Sequence, residues 1–190
     1  MDRLTKILTI INDRLTALDY MQGTKAFCLS EKVTREDKQL YFEKRANEVQ
    51  KPVFVDDSFP ATIFHVIRQF SVATDNEKGF SNKPQVIETF SMSLFVYLRN
   101  NFGLNTSLNV LSNIKKVFPY GFKRKESEEL KIRRGWIRIA DESIEKHTIW
   151  QDVFRNIKEK LSDESILLKI DYDISLEVGN CETIITCSNN

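Results

Sequence analysis

Histidines, paired carboxylates and cysteines are the side chains here that could do chemistry, and few of them keep company. His65 and His147 are the only histidines, and neither stands in an HExxH, an HxH or a serine–aspartate frame. A catalytic imidazole needs a second group to orient it or to share its proton. His65 therefore reads as an ordinary strand residue. Asp171, Asp173 and Glu177 fall at even steps, so a strand would bring them to one face together with Lys169. Carboxylates two residues apart can supply oxygen ligands to a divalent cation, and with a nearby lysine they suggest a metal-dependent nuclease. The preferred reading is plainer: an amphipathic strand needs polar residues on its wet face. No GxxxxGK[ST], GxGxxG or GxSxG occurs, and the six glycines do not cluster to cradle a phosphate. Cys28, Cys181 and Cys187 are odd in number and contain no CxxC. They read as reduced thiols in a reducing compartment. The expectation is a protein without enzyme activity, cofactor or resident metal.

Charge carries more information than any motif. The chain has 28 basic and 27 acidic residues, a net of +1, which argues against bulk attraction to nucleic acid or membrane. Nine of the bases lie in 115–138: Lys115, Lys116, Lys123, Arg124, Lys125, Lys131, Arg133, Arg134 and Arg138. Three acids there leave the stretch at +6, while 139–190 stands at −6. A dipole of this kind suits a nucleic-acid site, with Tyr120, Phe122 and Trp136 beside the cations. It equally suits self-association, the basic surface of one copy meeting the acidic surface of the next. On that reading Lys123, Arg124, Lys125, Lys131, Arg133 and Arg134 face Asp171, Asp173 and Glu177 across an interface. A third reading has the two surfaces neutralise each other within one subunit.

The elements that position these residues follow from hydrophobic period. Leu4, Ile7, Leu8, Ile11, Leu15 and Leu18 recur at three- and four-residue steps, which predicts a helix over 2–20 stopped near Gly23. Short apolar clusters at 26–29, 40–42 and 53–55 predict brief strands. In 63–73, Phe64, Val66, Phe70 and Val72 alternate with His65, Gln69 and Ser71, a strand pattern, with a helix from Pro60 as the competitor. Residues 74–85 have loop composition. Val86, Phe90, Met92, Leu94, Val96 and Leu98 then share one face of a strand about 43 Å long. The two strands read as a long antiparallel hairpin. A helix over 107–118, N-capped by Thr106 or Ser107, ends at Pro119 and Gly121. A basic loop leads to a strand near 132–140, and Ile149, Trp150, Val153, Phe154, Ile157 and Leu161 mark a third helix. Residues 166–178 alternate cleanly, and Gly179-Asn180 would turn the chain back into a partner strand over 181–187. The whole is expected to be one α+β domain over 1–190, mainly antiparallel, with 119–150 as a charged insertion. The opening segment lacks a signal peptide's apolar core, and no apolar run is long enough to span a bilayer, so a soluble protein is expected.

The order of these elements resembles that of the tail-terminator and tail-completion proteins of tailed bacteriophages and of related neck ring proteins. The resemblance rests on the opening helix (Leu4 to Leu18), the Phe59-Pro60-Ala61-Thr62-Ile63-Phe64 entry into a strand, the 74–85 loop and the long strand from Val86 to Leu98. It continues with the helix at 107–118 and the closing amphipathic strand, covering about two-thirds of the chain. The chain departs from that pattern in its length and its charged 119–150 region. The resemblance implies a non-enzymatic virion component of the neck or tail, assembled in the host cytoplasm. It implies a homo-oligomeric ring that contacts neighbouring neck or tail proteins and passes DNA through its lumen without sequence-specific contact. The competing function classes are a nucleic-acid-binding accessory protein using 115–138 and, behind it, the metal-dependent nuclease.

Overall fold

A computed structural model describes residues 3–18, 21, 23–35, 38–43, 51–52, 61–75, 85–98, 104–117, 121–146 and 166–178. The elements in chain order are α1 (Arg3–Thr16), β1 (Lys25–Arg35), β2 (Lys38–Glu43), β3 (Lys51–Pro52), β4 (Ala61–Asp75), β5 (Gln85–Leu98), α2 (Leu104–Val117), α3 (Arg124–Leu130), β6 (Arg134–Lys146) and β7 (Ile166–Val178). The described residues form an α+β fold: three helices with one mixed, mostly antiparallel sheet. The strands lie in the order β3-β2-β1-β4-β5-β7-β6, the outermost β3 being only two residues long. β1 and β4 make the one parallel pair among them.

Burial follows the periods read from the sequence. α1 buries Leu4, Ile7, Leu8, Ile11 and Leu15, a stripe one helix face wide. β5 buries Phe90, Met92, Leu94, Val96 and Leu98, and β7 buries Leu168, Ile170, Tyr172, Ile174, Leu176 and Val178. These side chains form one core with Leu111 and Ile114 of α2 and with Leu130 and Ile132. The helices therefore cover a single face of the sheet. β4 and β5 form the expected long hairpin, paired from Ala61↔Leu98 to Asp75↔Gln85.

Several expectations need correction. A bulge between Ile67 and Gln69 interrupts the alternation in β4. An inserted residue reverses every side chain beyond it. Ala61, Ile63, His65 and Ile67 lie on the helix side before the bulge, and Phe70 and Val72 lie there after it. His65 thus belongs to the core and not to a polar face. α2 starts at Leu104, so Thr106 and Ser107 sit inside its first turn and neither is the N-cap. The apolar stripe fixed that helix's face but not its first residue. The basic loop contains α3, whose first turn is fastened by the Glu126 carboxylate accepting the Lys123 backbone N–H at 2.6 Å. Lys131 ends α3 in the left-handed region, at φ 54. β7 pairs with β5 on one side and with β6 on the other. The anticipated strand at 181–187 and the anticipated helix at 149–161 lie outside the described residues, as does most of the 74–85 loop.

The start of β6 packs closely against the segment before α3. A Cβ built on Gly135 would stand 2.5 Å from the Phe122 ring and 2.9 Å from Ile132 Cδ1. Gly135→Ala should therefore cost about 1–3 kcal/mol through overpacking. The measurement is the urea unfolding midpoint, which should fall. An unchanged midpoint would mean that Phe122 and Ile132 move aside freely.

Candidate functional site

Three polar residues far apart in sequence meet inside the core. α1 supplies Asn12, β4 supplies His65 and β7 supplies Tyr172. His65 Nε2 lies 2.7 Å from Asn12 Oδ1, and His65 Nδ1 lies 2.8 Å from the Tyr172 hydroxyl. The Asn12 amide N–H donates to the Phe27 carbonyl at 3.2 Å, so its Oδ1 is the acceptor end. His65 then donates from Nε2 and accepts the Tyr172 proton at Nδ1, which defines one neutral tautomer. Burial lowers the His65 pKa to about 3 and raises that of Tyr172 well above its ordinary value. Sealed from solvent with both ring nitrogens engaged, this imidazole ties α1 to the middle of the sheet.

The face of the sheet opposite the helices carries the candidate carboxylates. Asp171 is only 8% exposed, so it is not the solvated side chain expected of a wet face. Its Oδ1 accepts from the Ser93 hydroxyl at 2.6 Å, and its Oδ2 lies 3.3 Å from Lys169 Nζ and 3.5 Å from an Arg68 amine. Asp173 accepts from Ser91 at 2.6 Å. The Lys169 ammonium and the Arg68 guanidinium therefore both stand beside the Asp171 carboxylate. Among the described residues, no group of three or more His, Cys, Asp or Glu side chains is placed to hold a metal ion.

The basic segment divides in two. On α3, Arg124 pairs with Glu128 at 3.0 Å and Lys125 approaches Glu129 at 3.9 Å, both well exposed. Such pairs are worth little. Lys123, Lys131, Arg133, Arg134 and Arg138 are exposed and form no ion pair among the described residues. The β6–β7 ladder sets Arg134 opposite Glu177 and Arg138 opposite Asp173. Basic and acidic candidates are thus cross-strand neighbours within one subunit. A shallow cleft lined by Arg14, Val117, Gly121, Phe122 and Lys123 opens beside α3.

A surface that sequence reasoning missed is the far half of β4. The β1–β4 pairing stops at Val66, and from Ile67 to Thr74 the strand has no neighbour on its outer side among the described residues. All eight of these residues are exposed. Ile67 is 39% exposed, Phe70 36% and Val72 42%, all on the helix side of the sheet. Phe70 rests on the Phe90 ring with centroids 4.7 Å apart. The bulge is what hid the patch, because unbroken alternation would have placed Phe70 and Val72 with Phe64 and away from Ile67.

Cys28 falls within β1, whereas His147, Cys181 and Cys187 lie outside the described residues. No helix among the described residues is long and apolar enough to cross a membrane. The chain matches no model of a known protein family. A comparison with curated proteins likewise finds no significant match.

Proposed function

We propose that the chain is a structural, self-assembling subunit, of the ring-forming kind found in the neck or tail of tailed bacteriophages. The observation that carries this reading is the outer half of β4, which has no neighbouring strand among the described residues. An exposed strand edge offers unpaired N–H and C=O groups to another chain, and soluble proteins normally blunt such edges. Here the edge runs for eight residues and bears Ile67, Phe70 and Val72. On the opposite side of the sheet, β6 is also an outermost strand. Two different open edges on opposite sides suit a heterologous contact, which repeats from copy to copy until it closes. The order of helix, long hairpin, helix and closing strand adds support through the family resemblance. On this reading the partners are further copies of the chain, the adjoining neck or tail proteins, and DNA passing through the lumen.

Phe70→Gln with Val72→Thr should convert the assembled protein to monomer, read by native mass measurement, while the circular dichroism spectrum holds. Phe70 rests on Phe90 and Val72 stands opposite the buried Glu88, so uncharged replacements are used and a modest fall in melting temperature is expected. A native protein that stays monomeric at every concentration, alone and with its neighbours in the gene cluster, would overturn the reading.

A further inference from the structure

We infer that the open face of β6 binds single-stranded nucleic acid, through a row formed by Arg134, Trp136 and Arg138. The three residues alternate along one edge strand, so their side chains project from the same face about 7 Å apart. All three are exposed, and Trp136 at 41% is among the most exposed large apolar side chains described. An indole between two guanidinium groups is the combination that single strands need: cations for the phosphates and an aromatic face on which a base stacks.

The arginines remain available despite acidic neighbours. Asp173, opposite Arg138, is turned toward β5 by its bond with Ser91. Asp171, one pair further along, is held by Ser93, Lys169 and Arg68, also from β5, β4 and its own strand. Glu177 stands opposite Arg134 without forming an ion pair. Asp171 and Asp173 are held away from β6 by these bonds, and neither arginine of the row forms an ion pair among the described residues. Beside Trp136 the ladder continues into Ser175 and then Thr89, small hydroxyl side chains 3.4 Å apart that do not crowd the indole. Charge complementarity calls for a polyanion, and the exposed ring calls for one with free base faces. A duplex has none, since its bases are already stacked.

The test uses the full chain and fluorescence anisotropy of labelled oligothymidylate, oligouridylate and a duplex of equal length, over a salt series. Single strands should bind more tightly than duplex. Trp136→Ala should weaken that binding by about tenfold and leave the salt slope unchanged, whereas Trp136→Phe should retain most of it. Arg134→Gln with Arg138→Gln should flatten the slope by about 1.4 units, ~0.7 for each cation lost. These substitutions change side chains on the face of β6 and leave its backbone edge as it is, so the oligomeric state should hold, which separates the inference from the assembly reading. Three results would each overturn it: no binding of single strands at low salt, a duplex bound as well as a single strand, or indifference to Trp136→Ala. If the arginine variant dissociates the oligomer instead, the row faces the acidic surface of a second copy and the inference falls.

Discussion

Arg3→Met is expected to destabilise the protein by about 3–5 kcal/mol, the largest effect of any single change to a polar residue here. Glu88 lies on the helix side of β5 with its side chain completely buried, and the Arg3 guanidinium at the start of α1 donates to its Oε2 at 3.0 Å. The other carboxylate oxygen has no hydrogen-bond partner. Arg3 Nε also donates to the Leu130 carbonyl at 3.1 Å, so this one side chain fastens α1 to both the sheet and α3. Removing it strands a buried carboxylate, and the desolvation cost then has nothing to offset it. The double variant Arg3→Met, Glu88→Met should regain most of the loss, because two apolar side chains of similar size need no ion to satisfy. Denaturant unfolding of the single and double variants decides the matter. If the double variant is no more stable than Arg3→Met, the stranded carboxylate is not the cause.

Acidification should expose the second large effect. His65 has a pKa of about 3 in the folded protein because burial disfavours its charged form, against 6.5 when unfolded. The unfolded chain therefore binds the extra proton throughout the window from 6.5 down to 3, and stability falls as pH falls through it. At about 1.4 kcal/mol per pH unit below 6.5, the loss attributable to His65 should reach roughly 3 kcal/mol at pH 4.5. His65→Gln should be less stable at pH 7, since it cannot rebuild both bonds, yet its stability should change less between pH 7 and 4.5. A parallel decline in both proteins would place the acid sensitivity elsewhere. Tyr172, whose pKa is raised, stays neutral across this range and contributes nothing to the slope.

The parts of this fold that sequence reading recovers are those whose information is local. α1, β5 and β7 each write their burial into a regular period, and their observed bounds fall within a few residues of those expected. What escaped depends on partners distant in the chain. His65 looks like a polar strand residue until a bulge at Arg68 and contacts to Asn12 and Tyr172 give it an interior place. Asp171 looks solvated until Ser93 arrives from the adjacent β5 and Arg68 reaches it from β4 beyond. α3 lacks an apolar stripe, burying only Leu130, so its helical state rests on the Glu126 cap and on Glu126 meeting Arg14 of α1 at 2.6 Å. The exposed apolar patch on β4 is invisible for the same reason as His65: one inserted residue exchanges the two faces.

The placement of β7 has a consequence for how the chain reaches its native state. It follows every other described element in sequence, yet it lies between β5 and β6, bonded to both along almost its whole length. During synthesis, β5 and β6 must wait with facing edges bare until residues 166–178 have left the ribosome. Contacts that span such long stretches close slowly, because loop entropy is lost before any bond is gained. The partly built sheet is then open to wrong pairing for the whole of that interval. Insertion of this one strand completes two ladders at once and joins the hairpin half of the sheet to β6.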